Sequence, residues 1–269
     1  MQYDPIKRSL GRVFNKTTLL RILFYRLLDL LLLRSWHIRR EMKTLRESGF
    51  EPKSILDAGS GFGQYVHWLG RIFPKASIKG LDIKQEQVDD CNAFFSKTKG
   101  ADRISFAWAD LTQLKESLAW DLVLSVDVME HIEDDRAVFG HFYRGLREGG
   151  ILLISTPSDQ GGSDVHHEHE ESFIDEHVRD GYGIEEITEK LREAGFTDIS
   201  CRYSYGRPGK LSWKLSMKWP IMLANKSKLF LLILPLYYLP VYPVAFFLNR
   251  ADVRRKHETG TGLIVRARK

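Results

Sequence analysis

The residues with chemical potential are gathered in a few short stretches. The first is Asp57-Ala58-Gly59-Ser60-Gly61-Phe62-Gly63, an acid at the end of an apolar run followed by glycines at every second position. Glycine there lets the backbone turn tightly and lets a ligand approach where a Cβ would collide. A dinucleotide fingerprint has the spacing G-x-G-x-x-G, whereas this loop reads G-x-G-x-G behind an acid. Asp82 follows about 20 residues later. An acid at that distance either accepts hydrogen bonds from both ribose hydroxyls of a nucleoside or serves as a turn former at a strand end. Asp110, after Phe106-Ala107-Trp108-Ala109, is placed to cap a helix over 111–118.

A second group is Asp127-Val128-Met129-Glu130-His131-Ile132. His131 is the natural candidate for a general base, or it is a helix-start histidine bonded to local backbone. Ser163-Asp164-Val165-His166-His167-Glu168-His169-Glu170-Glu171 forms a charged loop, either a functional lid that brings His166 or His169 to a substrate or a solvated surface segment. Asp127, Glu130 and His131 with one histidine of that loop make a mixed oxygen and nitrogen set suited to a divalent metal that acidifies hydroxyls.

These residues must be positioned by the elements between them. From residue 53 to 156, β-type apolar runs alternate with helix-type segments, the pattern of a parallel sheet with crossover helices. Strands are predicted at 54–57, 77–82, 103–107, 120–125, 150–155, 197–203 and 261–269, with helices at 64–73, 85–97, 134–147 and 184–194. Gly195 closes the last helix as a C-terminal stop.

The loop, Asp82 and the strand succession resemble the class I S-adenosylmethionine (SAM)-dependent methyltransferases, and the resemblance covers roughly residues 54–203 plus the last strand. It implies an α/β fold, a seven-stranded Rossmann-like sheet with helices on both faces, and a final strand antiparallel beside the fifth. It also implies SAM as cofactor, held by Asp57, Gly59, Gly61, Gly63, Asp82, Ile83, Asp110, Leu111 and Ser125. Asp57 would serve the methionine end, and Asp110 stands where family members contact the adenine amine. The Glu130-His131-hydrophobic ending is similar to the ubiquinone-biosynthesis O-methyltransferases and their small-molecule relatives. Some quinone and small-RNA methyltransferases use an E-x-x-E-H pattern for a metal, and Asp127 gives this chain a shorter first acid.

Two segments fall outside such a core. Residues 19–33 are apolar except for a stripe of Arg21, Tyr25 and Asp29 at i, i+4 spacing and Arg26, a helix that either covers the core or lies in a bilayer interface. Residues 229–248 carry no charge and are long enough to span a bilayer, yet Pro235, Pro240 and Pro243 are expected to break the helix. A single crossing would leave the last strand on the wrong side of the membrane from its sheet. The expectation is a monotopic, proline-broken hairpin with Trp213, Trp219, Tyr237, Tyr238 and Tyr242 at headgroup level. A lid over a hydrophobic pocket or a homodimer seam is the alternative.

The domains expected are 1–50, an N-terminal amphipathic segment; 51–205, a SAM-binding core; 206–258, a membrane-associating insertion; and 259–269, the last strand. The net charge of +5 is gathered beside the apolar runs. That favours a membrane surface reached through 19–33 and 211–248 over nucleic acid. Two cysteines, Cys91 and Cys201, make no disulfide framework. With no secretory signal visible, a cytoplasmic location on the inner membrane face is expected. The function expected is O-methylation of a hydrophobic small molecule or lipid. N-methylation of a lipid amine headgroup is the alternative, and a non-catalytic SAM-binding scaffold subunit is the reading from another class.

Overall fold

In the computed structural model, residues 17–115, 117–161, 178–226 and 230–269 are described. Two helices, α1 (Thr18–Leu31) and α2 (Leu33–Glu47), precede the sheet. They are separated at Leu32, whose φ of −85° and ψ of 108° leave the helical region. Then follow β1 (Ser54–Ala58), α3 (Gln64–Ile72), β2 (Ser77–Asp82), α4 (Gln85–Phe95), β3 (Ile104–Trp108), β4 (Trp120–Val126), α5 (Asp135–Gly145), β5 (Leu146–Pro157), α6 (Ile184–Glu193) and β6 (Thr197–Ser204). An inserted helical hairpin leads to β7 (Gly262–Arg268).

The seven strands are ordered β3-β2-β1-β4-β5-β7-β6. All neighbours from β3 to β5 are parallel, and β7 runs antiparallel between β5 and β6. The central strands are apolar on both faces because helices cover both. Ile55, Leu122, Leu124, Ile151 and Leu153 face one layer, and Leu56, Val123, Leu152 and Ile154 the other. This alternation sets every strand's register and brings the carboxyl ends of β1, β2 and β4 to one edge, where open α/β sheets hold ligands.

Two local expectations are corrected. The helix over 111–118 is only a single 3-10 turn, Leu111–Gln113. The stretch with three prolines is not broken: α9 (Phe230–Arg254) continues through Pro235, Pro240 and Pro243. All three prolines are exposed, so each ring costs one helical hydrogen bond without a clash against a packed neighbour.

The break falls in the other arm of the hairpin. Here α7 (Arg207–Trp213) passes through a π turn, Lys214–Lys218, into α8 (Trp219–Lys226). Pro220 has no N–H to give the Ser216 carbonyl, and the Trp219 N–H reaches back to Lys214. The carbonyls of Leu215 and Ser216 instead accept the hydroxyls of Tyr237 and Tyr238, at 2.7 and 2.6 Å. Both hydroxyls therefore bind the two arms together.

Candidate active site

At the end of β1 the chain turns through Gly59, Gly61 and Gly63, with φ of +82°, +49° and +76°. A Cβ on Gly59 would lie 2.2 Å from Val128, whereas one on Gly61 would meet nothing nearer than Gln87 at 3.8 Å. Gly59 thus packs tightly, and Gly61 leaves open space above the loop.

The amides of Gly59 and Ser60 both donate to the Leu81 carbonyl, at 2.8 and 2.9 Å. The Gly61 amide donates to Asp82 at 2.8 Å, and the other Asp82 oxygen accepts from Lys84 at 2.9 Å. Asp82 therefore holds the loop against the end of β2. Beside it, the Trp108 indole donates to the Ile83 carbonyl at 2.8 Å. With Trp108 53% and Ile83 60% exposed, the pair makes an apolar shelf at the loop's edge. Asp110 caps its single turn, accepting from the Thr112 amide and hydroxyl at 2.9 and 2.7 Å.

Three buried polar atoms lie behind the loop without a protein partner: a carboxylate oxygen of Asp57 and the hydroxyls of Ser60 and Ser125. Ser125 is the register partner of Ala58. Burial and then the charge of Asp82 push the Asp57 carboxyl up to about 8. Buried polar groups are normally satisfied, so this edge is built to meet a polar ligand or ordered water.

The loop is roofed by α1, whose polar stripe faces inward. Arg21, 2% exposed, reaches Asp90 at 2.6 Å, the Phe62 carbonyl at 3.0 Å and the Tyr25 hydroxyl at 2.7 Å. The Tyr25 hydroxyl donates to the same Phe62 carbonyl. Asp29 accepts from Gln64 at 2.8 Å. The leucines of α1 consequently point outward, with Leu19 76% and Leu23 46% exposed.

On the other side, Asp127 has a φ of +52°, rare for a residue with a side chain. Its amide donates to Ser155 at 2.8 Å and its carboxylate pairs with Arg34 at 2.5 Å. The Arg34 amide donates to the Tyr205 hydroxyl at 3.1 Å, and Tyr65 and Ser35 hydroxyls meet at 3.1 Å. Burial pushes Tyr65 up to about 12 and raises Tyr205 as well, so both phenols stay protonated. A cavity of about 50 Å³ opens here, walled by Leu31, Leu32, Arg34, Tyr205, Trp213 and Met217. One wall is the helix break at Leu32 and the other includes Met217 of the π turn.

A profile described as a methyltransferase domain matches residues 51–197, more than half of the sequence. This chain belongs to the class I SAM-dependent methyltransferases. A malonyl-[acyl-carrier protein] O-methyltransferase of Paenibacillus sp. (strain JDR-2) is 30% identical over 172 residues, 58% of this chain and 59% of that protein. A ubiquinone biosynthesis O-methyltransferase of Paramagnetospirillum magneticum is 29% identical over 120 residues, 45% of this chain and 46% of the relative. The chain thus spans about half the length of the curated relatives it matches. Phosphoethanolamine N-methyltransferase 2 of Haemonchus contortus, solved in complex with SAM, shares the fold at a TM-score of 0.55. It is 20% identical, over 81% of this chain and 48% of that one.

The methyltransferase loop fits SAM: open space over Gly61, an acid at Asp82, and unpaired buried oxygens at Asp57, Ser60 and Ser125. Asp57, Gly59, Gly61, Gly63, Asp82, Ile83, Asp110, Leu111 and Ser125 line up along the carboxyl edge of β1 to β4. Leu111 is buried in the core, with its carbonyl on the His141 ring at 2.9 Å.

The loop histidine that would complete the second group's metal set lies outside the described residues. Among the described residues no three of His, Cys, Asp and Glu are grouped for a metal. Asp127 is taken by Arg34. Glu130 is buried and accepts the Thr156 hydroxyl at 3.1 Å, and burial followed by Asp127 pushes it up to about 8. His131 is half-buried and closes a 3-10 turn through its amide on Val128, at 3.0 Å. That turn is braced by Tyr182, which donates to the Met129 carbonyl at 3.1 Å and to Asp135 at 2.8 Å. His166 and His169 lie outside the described residues.

Sequence patterns alone missed Arg34, Tyr65, Tyr205 and Trp108. Arg34 reads as one more charge beside an apolar run, and nothing local links it to Asp127. Trp108 carried a signal, because an indole one residue past an alternating strand and level with Asp82 is a natural stacking surface.

Proposed function

We propose that this methyltransferase transfers a methyl group from SAM to a hydroxyl of a hydrophobic small molecule or lipid presented at the cytoplasmic face of a membrane. SAM supplies an electrophilic methyl on a sulfonium, so the protein's task is alignment and exclusion of water. Asp82 and the Trp108–Ile83 shelf would hold the nucleoside, and the loop amides with Asp57 the methionine end. Arg34, Asp127, Tyr65 and Tyr205 would orient the acceptor's polar group, with His131 as the nearby candidate to take its proton.

The observation that carries this reading is the outward apolar surface beside the acceptor cavity. The leucines of α1 and the exposed Leu232, Ile233, Leu236 and Leu239 of α9 face solvent. Among the described residues one helix, Leu232–Arg254, is apolar and long enough to cross a membrane, with a mean hydropathy of 1.5 and little of it buried.

Topology favours a dip into one leaflet. Ser204 and Gly262 are register partners, so both arms of the hairpin return to one sheet edge. The base of α9 is fixed in the core by Asp252, which accepts from Gly209 at 2.9 Å and pairs with His37 at 2.9 Å. Exposed Lys210 and Lys214 on the shorter arm suit headgroup level, with Trp219 and Met222 beyond them.

The test is transfer of radiolabel from SAM into a total lipid and metabolite extract, partitioned between organic and aqueous phases. Label in the organic phase that disappears with Asp82→Ala is expected. Label confined to the aqueous phase would overturn the hydrophobic acceptor.

A further inference from the structure

A second cavity, of about 330 Å³, lies away from the SAM loop. Its walls include Gly70 and Arg71 at the end of α3 and Ile104 at the first residue of β3. It is therefore at the amino ends of the strands, the opposite edge of the sheet from Gly59 and Asp82. Nothing in the methyl-transfer chemistry uses it.

Its composition is selective. Arg71, Lys97, Lys99 and Arg103 line it, no acid does among the described residues, and Ile22 and Phe95 give it an apolar wall. Arg103 is structural, donating to the carbonyls of Gly70 at 2.7 Å and Ala76 at 2.9 Å. Arg71, Lys97 and Lys99 are exposed. His67, another of its walls, is pushed down to about 4, by burial first and by Arg71 and Arg26 after it.

The remaining wall is α1, through Thr18 and Ile22. On a helix, residue 19 adjoins residue 22 at i, i+3 spacing, so the exposed Leu19 lies beside the Ile22 wall, and the exposed Leu23, i+4 from Leu19, continues that stripe along α1. A cationic hollow beside an outward leucine stripe matches an amphiphile whose anionic head is joined to an apolar chain. The chain's own first 16 residues do not suit it by charge. They carry Lys7, Arg8, Arg12 and Lys16 against the single acid Asp4.

We propose that this cavity binds the phosphate headgroup of an anionic phospholipid, with the acyl chains along Leu19 and Leu23. The site would select the membrane and set the orientation of α1, and so of the SAM loop beneath it. The proposal rests on α1 facing a bilayer, as inferred above.

The test is flotation of the full chain with phosphatidylcholine vesicles, with and without phosphatidylglycerol. The comparison includes the triple variant Arg71→Glu, Lys97→Glu, Lys99→Glu and a control of equal charge change, Arg136→Glu, Arg144→Glu, Arg192→Glu, at exposed positions on the helices of the other sheet face. Thermal unfolding and SAM affinity verify that each variant is folded.

Wild type is expected to prefer the anionic vesicles by about tenfold or more. The cavity variant should lose that preference while keeping its partition onto neutral vesicles. Equal loss in the charge-matched control, or an undiminished preference in the cavity variant, would overturn the site.

Titration with sn-glycerol 3-phosphate separates the sources of the phosphate. Saturable binding that matches the vesicle affinity would overturn the lipid assignment in favour of a soluble ligand. Failure of wild type to bind either vesicle would instead overturn the membrane reading itself.

Discussion

Arg34 reaches from the first turn of α2 to the carboxylate of Asp127, 2.5 Å away at the end of β4. The pair joins the N-terminal helices to the strand edge where acceptor and methyl donor are expected to meet. Asp127 itself holds a left-handed backbone conformation that only well-determined surroundings maintain.

If this pair orients the acceptor, Arg34→Met should raise the acceptor KM by about tenfold or more, the loss of a charged hydrogen bond worth about 1.5–3 kcal/mol. SAM affinity by calorimetry should change little. Equal losses in SAM affinity and acceptor KM would assign Arg34 to helix placement alone.

The roof over the loop is tested by Tyr25→Phe. Removing the hydroxyl that donates to the Phe62 carbonyl should weaken SAM binding about fivefold, near 1 kcal/mol. Backbone exchange at residues 61–63 should rise in parallel, as read by hydrogen–deuterium exchange.

Gly59 and Gly61, two of the three loop glycines with positive φ, should differ. Gly59→Ala drives a Cβ to 2.2 Å from Val128 and should lower stability by about 2–3 kcal/mol through strain and overpacking. Gly61→Ala has room for its Cβ within the protein, so its stability loss should be near 1 kcal/mol. Its larger effect should be on SAM affinity, which chemical denaturation and calorimetry would separate.

Glu130 supplies a pH signature. Its folded-state carboxyl is raised from 4.5 to about 8, by burial first and by Asp127 second. A carboxyl raised on folding stabilises fully below its unfolded value, and that contribution is lost as pH rises through the folded value. The unliganded protein should therefore unfold at lower temperature as pH climbs from 4.5 toward 8. Glu130→Gln should flatten part of that slope, with Asp57, also raised to about 8, responsible for part of the remainder.

In the hairpin, Tyr238→Phe leaves the Ser216 carbonyl without its 2.6 Å donor, a cost of about 1–3 kcal/mol where buried. Pro220→Ala restores an N–H four residues after Ser216, so the double variant should recover most of that loss. A simply additive double variant, measured by denaturation in detergent micelles, would show that the π turn has another cause.

Much of the architecture was legible along the chain because it depends on local alternation. The strand at 77–82 coincides with β2, and the last strand lies antiparallel beside β5, as the family resemblance implies. The glycine loop and Asp82 were legible because turn chemistry is written in consecutive residues. Proline, by contrast, misled twice. Three exposed prolines left α9 intact, and the π turn falls instead just before Pro220, to which no breaking role was given and whose missing N–H leaves the Ser216 carbonyl to the Tyr238 hydroxyl.

The sequence by itself determined the α/β methyltransferase core and the cradle for SAM, since hydrophobic period and glycine spacing are short-range properties. It also determined that α1 carries a polar stripe of Arg21, Tyr25 and Asp29. Only the tertiary structure decided that the stripe faces inward, where it meets Asp90, Phe62 and Gln64. Which face of an amphipathic helix is buried depends on what opposes it. Here the opposite surface offers the Asp90 carboxylate, the Phe62 carbonyl and the Gln64 amide, so the charged face folds inward and the leucines are left outside.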